Sequence, residues 1–338
     1  MPNSRFLNKQ TIAWALYDCG NSAFALSALA VLFPLFLGSF WSAGDDGALV
    51  TARLAWTTAS ASFVVFLLAP ILGTMADNGG YRKRFLLILA SMGAVACAGL
   101  GMVGEGEWPA ALIYFFFGSI GFYSANVFYD SLIVDVSHPR HYSLVSALGY
   151  SMGYLGSALL LTLHVAMMLA PERFGFDGIA DVVRFAFMSV GVWWFVFSLP
   201  LMMIVRERPA SVVRGVKIFS STYQALLQTF REIRKYRQVV LFLSGYTLYI
   251  AGVFTVIFMA VNFGQRLGFE QTDLVKALLI TNFVGFPATL AYGTLGHRFG
   301  PKKATYLGLA VYISVSCWAV FLSDVRQFYV MAILIGLV

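Results

Sequence analysis

The chain has 338 residues, of which 59% are hydrophobic and only 12% charged, with a mean hydropathy of +0.77 and a net charge of +7. Soluble domains carry roughly 25% charged residues, so this composition excludes an ordinary soluble protein. The apolar residues run on for membrane length without the roughly ten-residue alternating segments of transmembrane strands, which excludes a β-barrel.

The first apolar run, 11–41, follows Arg5 and Lys9 as the core of a signal peptide would. It is too long for that role and holds Asp18 and Asn21, so it reads as the first membrane helix. Further spans are expected near 51–76, 85–104, 108–137, 144–170, 184–205, 239–263, 274–296 and 304–323. Each supplies the about 20 helical residues that a hydrocarbon core of about 30 Å requires. A tenth begins near Gln327 and runs to Val338, so the second half reads as incomplete, with about three and a half helices. Between the sixth and seventh spans lies a basic stretch, 206–238, with eight basic and two acidic side chains. Its helical periodicity over Ser220–Arg237 suits a connector that rests partly on the membrane surface. The expected organisation is therefore a bundle at 1–205, a basic linker at 206–238 and a second bundle at 239–338.

Basic residues fix the expected orientation. Of 23 Lys and Arg, Arg53, Arg173, Arg184, Arg266, Lys276 and Arg326 fall on one side of the spans and the other 17 on the opposite side. The positive-inside rule puts the N-terminus in the cytoplasm, with a bacterial-type inner membrane as the expected location. Because these charges sit in short loops beside membrane helices, they argue against a nucleic-acid partner. The three cysteines (Cys19, Cys97 and Cys317) fall within spans and suggest neither a disulfide framework nor a metal site. His138 and His141 flank Pro139, which spoils a common helical face with Asp135.

A twelve-residue block occurs twice, 220 positions apart. The first copy runs from Gly73 through Asp77 and Gly80 to Arg82, Lys83 and Arg84; the second runs from Gly293 through His297 and Gly300 to Lys302 and Lys303. Both sit where one span ends and the next begins, and the paired glycines are expected to allow close packing there. Cys97 and Cys317 are also 220 apart, so the register extends through the third and ninth spans. Parallel repeated halves are a transporter architecture.

Gly73-x-x-x-Asp77-x-x-Gly80-x-Arg82-Lys83-Arg84 resembles the loop 2–3 signature of the major facilitator superfamily, and Gly293–Lys303 resembles its loop 8–9 counterpart. Trp14–Phe24, Val127–Leu132 and Ala147–Gly156 resemble the vacuole-effluxer-like branch, also called the unknown major facilitator family. The resemblance implies an all-α polytopic fold of two six-helix bundles, the second truncated here, rocking about a central site. It implies a gating role for Gly73, Asp77, Gly80, Arg82 and Lys83, with Gly293, Gly300 and Lys303 as second-copy counterparts. The branch is linked to amino-acid efflux from vacuoles, which makes amino acids or related metabolites the first expected solutes. Departures are His297 in place of the acid in the second copy, and the lack of an arginine in the fourth span or a Gly-Pro in the fifth. They make any acid-dependent latch asymmetric and leave the coupling ion open.

Polar residues within spans mark the expected pathway, since an Asp at a helix centre costs about 2.5–3.5 kcal/mol on insertion scales. Asp18 lies about 10 Å into the first helix at 1.5 Å per residue, and Asp130 lies at comparable depth in the fourth. Asn21 accompanies Asp18, and Asn126 precedes Asp130 on its face. The resemblance places both helices on a central cavity, where the carboxylates would face shared water and carry a proton. Tyr17 is a further candidate for the cavity wall. His164 reads as a packing residue, and Gly149, Gly153 and Ser157 as a close helix contact.

No H-E-x-x-H, G-x-S-x-G or phosphate-binding loop occurs, which argues against an enzyme or an ATP-driven pump. The expected protein is a monomeric secondary transporter without a cofactor, moving a small polar solute, with protons as a candidate coupling ion. The alternative is a receptor, scaffold or lipid-moving protein on the same fold.

Overall fold

The computed structural model describes residues 6–79, 81–207, 231–232 and 235–338, with backbone alone at 74–79, 258, 259, 261, 262 and 265. Among the described residues all regular structure is helical. The helices are α1 (Lys9–Trp41), α2 (Gly47–Gly79), α3 (Arg82–Leu100), α4 (Trp108–Val136), α5 (Tyr142–Leu169) and α6 (Ile179–Ile204). They continue as α7 (Arg237–Arg266), α8 (Gln271–Phe299), α9 (Pro301–Ala319) and α10 (Val325–Gly336). These fall where the apolar runs predict them. Eight are long and apolar enough to span a membrane; α9 and α10 fall short of that measure, and α10 has only 12 residues. The expected surface helix at Ser220–Arg237 lies mostly outside the described residues.

The chain divides into two compact units, Met1–Val213 and Arg214–Val338. In the first, α1 packs against α5 and α6, while α3 packs against α4 and α6. Glycines make these approaches possible. A Cβ at Gly121 of α4 would stand 2.7 Å from the Gly93 nitrogen and the Leu89 oxygen of α3, both backbone atoms. At Gly156 of α5 it would overlap the Cys19 sulfur and come within 2.9 Å of its carbonyl oxygen. In the stripe read in the fifth span, a Cβ at Gly149 would stand 2.7 Å from the Tyr129 hydroxyl and one at Gly153 2.5 Å from Ser22 Oγ, close helix contacts of the kind membrane bundles use.

α1 departs from the plain helix its sequence predicts. It is α-helical over Lys9–Ala23, π-helical over Phe24–Leu32, and π-helical again over Leu37–Trp41. Between them lies the turn Phe33–Phe36, which holds Pro34. Proline has no N–H for an i→i−4 bond, and the neighbouring Phe33 N–H reaches back five residues to the Ala28 carbonyl. The wide turns lie beside a packed aromatic group, in which Phe33 stacks on Phe115 and Phe24 on Trp194.

The second unit has a smaller apolar core of Leu274, Ala277, Val315, Leu322, Phe328, Met331 and Ala332. An apolar cavity of about 270 Å³ lies among α7, α8, α9 and α10.

Candidate functional site

The first unit holds a second cavity, about 230 Å³, lined by Trp14, Asp18, Tyr129, Asp130, Ile133, Ser146 and Tyr150. Each helix contributes residues at helical spacing: Trp14 and Asp18 from α1, Tyr129 and Ile133 from α4, Ser146 and Tyr150 from α5. The two carboxylates predicted to share water thus line one wall system, although they are 112 positions apart. Asp18 is buried and Asp130 exposed. Asp18 Oδ1 accepts from Ser22 Oγ at 3.2 Å, and its Oδ2 lies against Gly153, where a Cβ would come within 3.0 Å. Titratable groups around the pair are Tyr17, Cys19, Tyr129, Tyr150 and Tyr154. No Lys, Arg or His is among the lining residues.

An aromatic frame holds the cavity open. Trp14 stacks on Tyr129 with ring centroids 4.3 Å apart and planes 8° from parallel. The Trp14 indole N–H also donates to the Tyr129 carbonyl at 2.9 Å, fixing α1 to α4. On the far side of α1, the Trp193 indole N–H donates to the Cys19 carbonyl at 3.1 Å.

Tyr17, Asn21 and Asn126 stand beside the cavity and do not line it. Asn21 Nδ2 donates to Asn126 Oδ1 at 2.8 Å, a second bond between α1 and α4. Tyr17 is fully buried, and its hydroxyl reaches Asn21 Oδ1 at 3.5 Å. The expectation that Tyr17 faces the cavity is corrected: its buried ring packs on Tyr129 with centroids 4.8 Å apart and is not part of the lining.

Sequence reasoning missed the second polar cluster, where α1, α3 and α6 meet with the end of α4. Arg82 Nη1 pairs with Asp135 Oδ2 at 3.2 Å, with the Asp135 side chain 1% exposed and that of Arg82 22%. Glu207 accepts from the backbone N–H of Arg82 at 2.7 Å and of Lys83 at 3.5 Å. Its carboxylate thereby caps donors that a helix N-terminus leaves unpaired. Lys83 Nζ donates to the Val205 carbonyl at 2.5 Å, and the Arg206 N–H donates to Gln10 Oε1 at 3.2 Å. The available signal was a lone acid, Glu207, between Arg206 and Arg208 at the end of a span.

The other members of the predicted gating motif are placed unevenly. The side chain of Asp77, and Gly80 altogether, lie outside the described residues. Gly73 has open space where a Cβ would stand, so the close packing expected there is not imposed by its neighbours. In the second copy Gly293 is buried and Gly300 has φ +90°, the left-handed region that favours glycine. His297 and Lys303 are exposed.

Comparison with known proteins agrees with this architecture. The family described as "Vacuole effluxer Atg22 like" matches residues 48–141 and 134–338. The MFS-type transporter YxiO of Bacillus subtilis, whose function is uncharacterised, is 34% identical over 330 residues, covering 97% of this chain and 77% of that protein. Autophagy-related protein 22 of Yarrowia lipolytica is 24% identical over 237 residues, covering 60% of this chain and only 39% of its own length. Among solved structures, the proton:xylose symporter XylE superposes with a TM-score of 0.64 at 18% identity. That likeness covers 97% of this chain and 79% of XylE, and at such identity it speaks for the fold alone.

Proposed function

Since the chain belongs to the vacuole effluxer Atg22-like family of major facilitator transporters, we propose that it exports amino acids or related small polar metabolites, with Asp130 and Asp18 coupling solute movement to protons. The chain is a multi-pass membrane protein. In this reading it acts as a monomer by alternating access, in a bacterial-type inner membrane with the N-terminus cytoplasmic. The charge asymmetry between loops supports that orientation.

One observation carries the proposal: two carboxylates from different helices line one cavity inside the first bundle. A bare carboxylate is costly to carry through a dehydrated intermediate. Asp130 and Asp18 would therefore cross the closed state with a proton or with solute charge, and release it on the other side. Asn21 and Asn126 hold α1 against α4 so that the two carboxylates keep their places. The cluster of Arg82, Asp135 and Glu207 serves as the latch on the side bearing the N-terminus.

The test is flux by the full-length protein in vesicles with an internal pH dye, adding an amino-acid mixture and comparing wild type with Asp130→Asn and Asp18→Asn. A solute-dependent pH change in wild type, lost in Asp130→Asn, is expected. Accumulation without any pH change would remove the proton role and leave transport. No flux with any solute would return the reading to a receptor or scaffold on this fold.

A further inference from the structure

The cavity between α1, α4 and α5 has a chemical bias that the transport reading does not use. It offers two carboxylates, three aromatic rings and no basic side chain. Trp14 and Tyr129 stack face to face, so each covers one face of the other, and Tyr150, more than half exposed, supplies the accessible ring of the wall. The Tyr129 hydroxyl, on a residue only 5% exposed, has no hydrogen-bond partner among the described residues. Asp18, 6% exposed, accepts from Ser22 Oγ at 3.2 Å through Oδ1.

Each solute class meets this wall differently. An anion meets two like charges and no cation. A neutral solute leaves both carboxylates without a counter-charge, and that of Asp18 is buried. A cation with an apolar shell gains both the counter-charges and the open face of Tyr150, whose negative quadrupole attracts it.

We propose that this cavity is a recognition site for an organic ammonium ion. Asp18 and Asp130 neutralise its charge, and Trp14, Tyr129 and Tyr150 hold the carbons around the nitrogen. This rests on the reading of the cavity as the solute site and names the class of solute it takes.

The experiment is equilibrium binding to the purified full-length protein at constant pH and ionic strength. The probes are choline against its neutral isostere 3,3-dimethylbutan-1-ol, and phenethylamine against 2-phenylethanol, with 3-phenylpropanoate as the anion. Both ammonium ions should bind at least tenfold more tightly than their alcohols, and the anion should bind weakest. Asp130→Asn should weaken ammonium binding about tenfold or more. Tyr150→Leu should weaken it about two- to fivefold, the range expected for one cation–π contact. Equal binding of ammonium and alcohol, or binding of the anion alone, would overturn the proposal. So would no binding by either ammonium ion. The probe comparisons use the wild-type protein, so their outcome does not depend on the folding of any variant. Amino-acid flux without ammonium preference would remove this inference and keep the transport reading. Ammonium binding without a solute-dependent pH change would keep this inference and remove proton coupling.

Discussion

The two copies of the repeated block end their helices in different ways. At the first, the N-terminal amides of α3 are capped by Glu207, and the Arg82 side chain pairs with the buried Asp135. At the second, α9 opens with Pro301 behind Gly300 at φ +90°, and Lys302 and Lys303 stand exposed. Proline at a first helical position removes a donor that would otherwise seek a partner. The same turn is therefore closed by carboxylates in one half and by backbone geometry in the other. Repetition has kept the place of the turn and not its chemistry, and the polar apparatus has gathered in the first bundle.

The largest expected effect tests that asymmetry directly. Asp135→Ala removes the carboxylate paired with the Arg82 guanidinium, and breaking a buried ion pair costs up to about 3–5 kcal/mol. Because the Arg82 side chain is 22% exposed, a loss of about 2–3 kcal/mol is the expectation. Glu207→Ala should lose about 1.5–3 kcal/mol, the range for hydrogen bonds to a charged group. Lys303→Ala, the matching change in the second block, should stay within about 0.5 kcal/mol. Unfolding of the detergent-solubilised variants checks this. If Lys303→Ala costs as much as Asp135→Ala, the two turns are equally tied and the comparison fails.

Helix glycines sharpen it next. A Cβ at Gly121 meets only backbone atoms of α3 at 2.7–2.8 Å, which cannot rotate away. Gly121→Ala should cost about 1–3 kcal/mol as overpacking does. Gly252, within α7, has nothing within 4 Å of that position. Gly252→Ala should be neutral or stabilise by up to about 1 kcal/mol through helix propensity. A similar loss at both sites would mean that α7 is packed as closely as α4.

How far the sequence could be read depended on the range of the interaction. Helix positions were legible because a span needs its own apolar residues and nothing else. Asp18 and Asp130 were legible because the membrane makes a carboxylate costly wherever it lies, and both prove to line one cavity. The residue types of Asn21 and Asn126 could be read, but their bond could not, since it joins positions 105 apart. Glu207 was hidden for the same reason, 125 positions from the amide it caps. Tyr17 was misplaced for the same reason: its ring is taken up by Tyr129, 112 positions away. The π-helical turns of α1 had only Pro34 as a local signal, and the rings packed beside them come from α4 and α6.

The smallest expected effect asks whether the asymmetry reaches beyond the charged turns. Cys97 and Cys317 occupy matching places in the repeat, yet Cys97 is fully buried and Cys317 exposed. The Cys97 thiol also donates to the Phe187 carbonyl of α6 at 3.4 Å, a contact that only a buried, close-packed α3 can make. Cys97→Ala removes the sulfur and that weak bond together, and should cost about 1 kcal/mol. Cys317→Ala should change stability by less than about 0.5 kcal/mol, as surface substitutions do. Equal losses would show that α9 buries Cys317 against a neighbour as α3 buries Cys97. The difference between the halves would then be confined to the charged residues at the turns. Unequal losses would place it in the packing of the helices themselves, with the carboxylates as one consequence of a bundle drawn tightly together.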